Sequence, residues 1–119
     1  MSSRSGALEA VDRILNRGGD ADEVLRQVVS VLYERLDGCS WAGISFVEAG
    51  ELVLGPERGE RTGEETSMPI SYDGKVVAEL GVVAERLDAG DRELLERVAL
   101  LISPYCLVGW DTGGEPWEP

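Results

Sequence analysis

The spacing of apolar residues changes period once along this chain, near residue 40, and that change constrains the fold more than any other feature. From Ala7 to Arg17, Leu8, Val11 and Leu15, with Ile14 beside them, recur every three or four residues. From Ala21 to Leu36, Val24, Leu25, Val28, Val31, Leu32 and Leu36 do the same. This spacing predicts two amphipathic helices. Gly18-Gly19 ends the first, Asp20 is a candidate N-cap for the second, and Asp37-Gly38 stops it. Beyond that point Ser40 to Glu48 alternates and is rich in aromatic and β-branched residues, Ala49-Gly50 makes a tight turn, and Glu51 to Leu54 answers it as a hairpin. A polar surface loop is expected from Gly55 to Thr66. Ser67 to Ser71 and Lys75 to Ala84 then flank Tyr72-Asp73-Gly74, whose Asp-Gly step signals a second hairpin. Asp88-Ala89-Gly90-Asp91 opens a last helix with Leu94, Leu95, Val98, Leu101 and Ile102 on its apolar face, and Pro104 is expected to kink or end it.

The predicted order is α-α-β-β-β-β-α, an α+β antiparallel sheet of about four strands with helices on one face. Side chains on a strand alternate sides. Ala42, Ile44 and Phe46 therefore share one face with Val76, Ala78, Leu80 and Val82, and this apolar face should meet the helices. The opposite face carries Trp41, Gly43, Ser45 and Val47 with Val77, Glu79, Gly81 and Val83, and is mixed. One domain is expected over residues 1–108, followed by an irregular tail over 109–119 containing Trp110 and Trp117.

At 119 residues the chain fits one domain, since domains usually run to about 100–150 residues, and 43% hydrophobic residues suffice for a core. No apolar run approaches the roughly 18 residues needed to cross a bilayer, and the N-terminus does not read as a signal peptide. A soluble cytoplasmic protein is the expectation. With 23 acidic against 11 basic residues the net charge is −12, a field that repels phosphate backbones and anionic membranes, so neither nucleic acid nor membrane is an expected partner.

The residue types the chain lacks narrow its chemistry. It has no histidine, so Ser-His-Asp and Cys-His nucleophile pairs cannot form and the commonest metal ligand is missing. Cys39 and Cys106 lie far apart without C-x-x-C spacing, which points to neither a zinc site nor a redox pair but to buried free thiols. Asp20-Ala21-Asp22-Glu23 lacks the glycine and distal glutamate of a calcium loop. Gly55 to Gly63 has no G-K-[ST] step and is not a phosphate-binding loop. No metal, cofactor or catalytic residue is expected.

Ser40-Trp41-Ala42-Gly43-Ile44-Ser45-Phe46-Val47, followed by Glu51-Leu52-Val53-Leu54-Gly55-Pro56, resembles the first hairpin of a GAF domain. It is most similar to that of the GAF-type free methionine-(R)-sulfoxide reductases, with their W-x-G-x-Y and L-x-L-G-P patterns. Asp73 to Val82 is similar to that family's later G-K-x-I-G-V-L strand, and Asp88 to Leu101 resembles its closing helix. The resemblance implies a GAF-like, PAS-like fold. In these reductases a long insertion after the G-P step carries the cysteines and closes over the ligand. Here about a dozen residues lead from Gly55 straight to the third strand. Cys39 and Cys106 both lie outside that region, and the family's two substrate-amine aspartates fall on Gly81 and Val83. The resemblance thus implies the fold without the activity.

Three functions follow as expectations. The first is a non-catalytic GAF-like module in signalling or regulation, acting by homodimerisation through its first and last helices or by contact with a protein partner. The apolar surplus around Ala99-Leu100-Leu101-Ile102 favours it, because a helix lying on a sheet needs only one stripe. The second is a small-molecule sensor using the open sheet face, with Gly43, Ser45 and Gly81 as floor and Trp41 and Glu79 at the sides. The third and least favoured is a residual reductase using Cys39 or Cys106. The tail, through Trp110 and Trp117, is expected to cover part of the open face, in its own chain or across a dimer.

Overall fold

A computed structural model of the chain describes residues 3–36 and 38–108. These form, in order, α1 (Ser3–Arg17), α2 (Ala21–Arg35), β1 (Cys39–Glu48), β2 (Glu51–Gly59), β3 (Glu65–Tyr72), β4 (Lys75–Ala84) and α3 (Ala89–Val108). The strands make one antiparallel sheet in the order β2-β1-β4-β3. The first and last strands of the expected face are thus central neighbours, paired Ala42 to Val82, Ile44 to Leu80 and Phe46 to Ala78. Those six side chains are buried together with Val24, Leu25, Val28, Val29 and Leu32 of α2 and Leu95, Val98 and Ile102 of α3. α1 adds Ala7, Val11 and Ile14 and packs on α2 and α3, while Leu8 and Leu15 lie only at the edge of the core. The sequence has the α+β fold it predicts, with the helices on one face of the sheet.

Local chemistry sets the boundaries. The two hairpin turns, Ala49-Gly50 and Asp73-Gly74, have positive φ at both central positions (53° and 83°, 54° and 81°), the twist that matches paired strands. Asp20 occupies the N-cap position of α2, but its side chain makes no capping bond. α3 has a reciprocal cap instead. The Asp91 amide donates to Asp88 Oδ1 at 2.8 Å and the Asp88 amide donates to Asp91 Oδ2 at 3.2 Å.

Three sequence expectations are corrected. The stretch from Gly55 to Thr66 is not all loop: β2 continues to Gly59, β3 begins at Glu65, and only 60–64 connect them. A bulge at Gly55-Pro56 opposite Ile44 makes this possible, because a proline is tolerated at a bulge on an edge strand. Below the bulge the ladder resumes with Gly43 opposite Glu57, Ala42 opposite Arg58 and Trp41 opposite Gly59. Arg58 thereby lands on the helix side, donating to the Ser30 hydroxyl at 3.0 Å and stacking 5.2 Å from the centre of the Tyr33 ring.

Val76 and Val77 are the second correction. A register shift beside Ile70 reverses the alternation at this end of β4, so Val76 is 54% exposed and Val77 packs at the edge of the core. The third concerns Pro104, expected to kink or end α3, of which the end is excluded because the helix runs on to Val108. A proline cannot donate to the carbonyl four residues back, here that of Leu100, and the Ser103 hydroxyl does so instead at 3.0 Å. No helix of the described residues is long and apolar enough to cross a membrane.

The Ser103 substitution for the missing amide can be tested by a double-mutant cycle. Ser103→Ala should cost about 1 kcal/mol in urea unfolding when Pro104 is present. In the Pro104→Ala background it should cost close to nothing, because the alanine introduced there supplies the amide itself.

Candidate functional site

The sheet face turned away from the helices is built around Trp41. Its side chain leaves β1 and lies along the strand over Gly43 and, across the ladder, Gly81. A Cβ on Gly43 would stand 2.5 Å from Trp41 Cζ2, and one on Gly81 would stand 3.1 Å from Cζ3. Only residues without side chains allow the indole to lie this flat. Although it sits on the outer face, Trp41 is only 1% exposed. Burial of an indole of this size stabilises a domain by roughly 3 kcal/mol.

The parity change at the Gly55-Pro56 bulge puts Glu57 on this same face, where its carboxylate accepts the Trp41 Nε1–H at 2.8 Å. The ring orientation is therefore fixed by a strand residue. Gly59, at φ 94° and directly against the Ser40 carbonyl, turns the chain out of β2. The short connection then carries Arg61 back over the face. Its guanidinium lies 4.5 Å from the centre of the indole ring, and it grips Glu65 in a fork, Nε to Oε1 at 2.9 Å and Nη2 to Oε2 at 3.2 Å. The Ser67 hydroxyl donates to the same Glu65 oxygen at 3.4 Å. The Glu65 hydrogen bonds, and then the fields of Glu65, Glu57 and Glu79, raise the Arg61 pKa above its ordinary value against an opposing desolvation effect. Both partners of the fork are partly exposed, so the pair is worth at most about 1 kcal/mol. Its position matters more than its strength.

The five residues expected to bind a ligand are brought together. Gly43 and Gly81 are paired floor residues, Ser45 is buried opposite Glu79, and Glu79 is half-buried beside the stack. Trp41, expected as a wall, instead covers the floor. Glu57, Arg61 and Glu65 were not expected. Their only sequence signals are the four-residue spacing of Arg61 and Glu65 and the strand-breaking Gly55-Pro56 step. Trp110 and Trp117 lie outside the described residues, as does the boundary proposed for the tail.

Neither thiol is activated. Cys39, half-buried at the start of β1, donates to the Trp41 carbonyl at 3.2 Å, and burial raises its pKa more than that bond lowers it. Cys106, near the end of α3, is buried and its pKa is pushed up to about 12 by desolvation. At neutral pH about one such thiol in 100,000 would be ionised. A raised pKa in an acid group has a definite consequence for stability. The contribution is intact below the unfolded value of 9.0 and is lost as pH rises from there toward about 12. Between about pH 8 and about pH 10 this group alone should remove on the order of 1 kcal/mol of unfolding free energy. Cys106→Ala should lack that increment when the two proteins are compared by urea unfolding at both pH values.

Comparison with solved structures places this geometry among known folds. fRMsr of Staphylococcus aureus, in complex with substrate, superposes with a TM-score of 0.74 at 17% identity, over 89% of this chain and 97% of that one. Free methionine-R-sulfoxide reductase from Neisseria meningitidis, also with its substrate, gives 0.73 at 17% identity over 90% and 92%. The A. aeolicus nlh2 GAF domain in an inactive state gives 0.72 at 14% identity over 87% and 94%. No family model and no curated protein matches the sequence. At these identities the likeness is one of architecture. With its four-stranded sheet and helices on one face, the chain has the fold of a GAF domain.

Proposed function

We propose that the chain is a non-catalytic GAF-like module in signalling or regulation that acts by association, first of all with a second copy of itself through α1 and α3. The supporting observation is a contrast between two surfaces. The sheet face is already filled by Trp41 beneath Arg61, and no activated thiol lies near it. The outer face of α3, in contrast, presents Leu100 at 66% exposure, the most exposed large apolar side chain among the described residues. Leu100 borders a groove with Leu8 and Leu94, and Glu93 and Glu96 flank Arg97 along it. An isologous, antiparallel pairing of two α3 helices would bury both leucines and set the acids of one copy against the arginine of the other. Light scattering at tens of micromolar should give twice the chain mass, and Leu100→Arg should give a monomer; a monomeric parent protein would overturn the dimer. In a thioredoxin-coupled assay free methionine sulfoxide should not be turned over, and turnover abolished by Cys39→Ser or Cys106→Ser would overturn the non-catalytic reading.

A second reading, small-molecule sensing on the sheet face around Trp41, Gly43, Ser45, Glu79 and Gly81, has one specific observation in its favour. This face already seats a cation against an aromatic ring and the Glu65 carboxylate.

A further inference from the structure

We propose that the Trp41 face is a binding site for small guanidinium compounds and that Arg61 is its tethered, displaceable occupant. The inference rests on the sensing reading of the sheet face and names the ligand class for it.

Each of the four strands supplies one recognition group. Trp41 comes from β1, Glu57 from β2, Glu65 from β3 and Glu79 from β4. The ring provides a flat surface, Glu57 holds its edge, Glu65 offers both carboxylate oxygens, and Glu79 adds negative field. All four groups stand on the hydrogen-bonded sheet. The occupant does not: Arg61 sits in the 60–64 connection, and its side chain is 45% exposed even while stacked. A seat built on paired strands with its cation on an irregular connection is the arrangement expected of a site that can exchange occupants.

The chemistry selects the class. A guanidinium is planar, so it can stack on an indole while its in-plane N–H groups reach both oxygens of one carboxylate. An ammonium group has no such plane. Glu65 grips the cation directly while Glu57, bonded to the ring edge, and Glu79 act on it through their fields, so acids remain around the seat when Arg61 leaves, and the net charge of −12 draws cations to it. Among the described residues these acids are not gathered into a group able to hold a metal ion.

A tethered occupant competes with free ligand at an effective concentration in the millimolar range or above. Removing it should therefore strengthen binding of a free guanidinium without creating a new mode. The test is an NMR titration of the full chain with methylguanidinium chloride, reading the Trp41 indole N–H signal identified by its loss in Trp41→Phe. The parent protein should respond saturably, and Arg61→Ala should bind at least about ten-fold more tightly. Arg61→Gln, which keeps much of the aliphatic stem, should show the same gain if Arg61→Ala folds poorly. Glu65→Gln should weaken binding. If Arg61→Ala binds and the parent protein does not, Arg61 is a permanent plug and the proposal fails. If methylammonium, urea or acetate moves the signal as well as methylguanidinium does, the ligand class is wrong while the sheet-face reading stands. If no probe moves it in either protein, both readings fall.

Discussion

The antiparallel pairing of β1 with β4 is the constraint on which the rest of the molecule depends. One register, Ala42 to Val82, Gly43 to Gly81 and Ile44 to Leu80, sets both faces of the sheet at once. On one face it aligns apolar side chains that α2 and α3 cover, and on the other it brings two glycines side by side. A slip of one residue would turn the apolar set outward and separate the glycines, so core and seat stand or fall together. Trp41 then fills the space the glycines leave and becomes a buried residue on an outward face.

Around that ring the structure gathers charge of opposite signs in an ordered way. The bulge at Gly55-Pro56 shifts the parity of β2, so Glu57 joins the ring while Arg58 joins the helices. Without the extra residue the two would exchange faces. The short β2–β3 connection carries Arg61 over the ring, and Glu65, the first residue of β3, holds it there. A carboxylate, an indole and a guanidinium thus meet in one stack in which each pairwise contact is modest.

The fold is shared with reductases at identities that carry architecture alone. Of the two thiols of this chain, Cys106 is buried near the end of α3 and Cys39 has its own pKa raised by burial. The surface left open is instead apolar and helical, at Leu100 and Leu8, with charges of both signs beside it. The proposed association through that surface and the proposed cation exchange on the sheet face would use opposite sides of the sheet, so the two are compatible.

The sequence by itself determined the element order, the inward face of the two central strands and both hairpin turns. These depend on local periodicity and on turn residues such as Asp73-Gly74, which act within a few positions. Val76 failed because its burial depended on a register shift against β3, and Pro104, expected to kink or end α3, does not end it, a neighbouring hydroxyl having taken over the missing bond. The candidate site was half legible. Trp41, Gly43, Ser45, Glu79 and Gly81 followed from alternation on β1 and β4. Glu57, Arg61 and Glu65 did not, because a polar edge strand carries no hydrophobic signal. Only the tertiary structure decided that the open face is roofed by its own arginine, since a stack drawing one group from each of four strands and a cation from the connection exists only once all of them are paired.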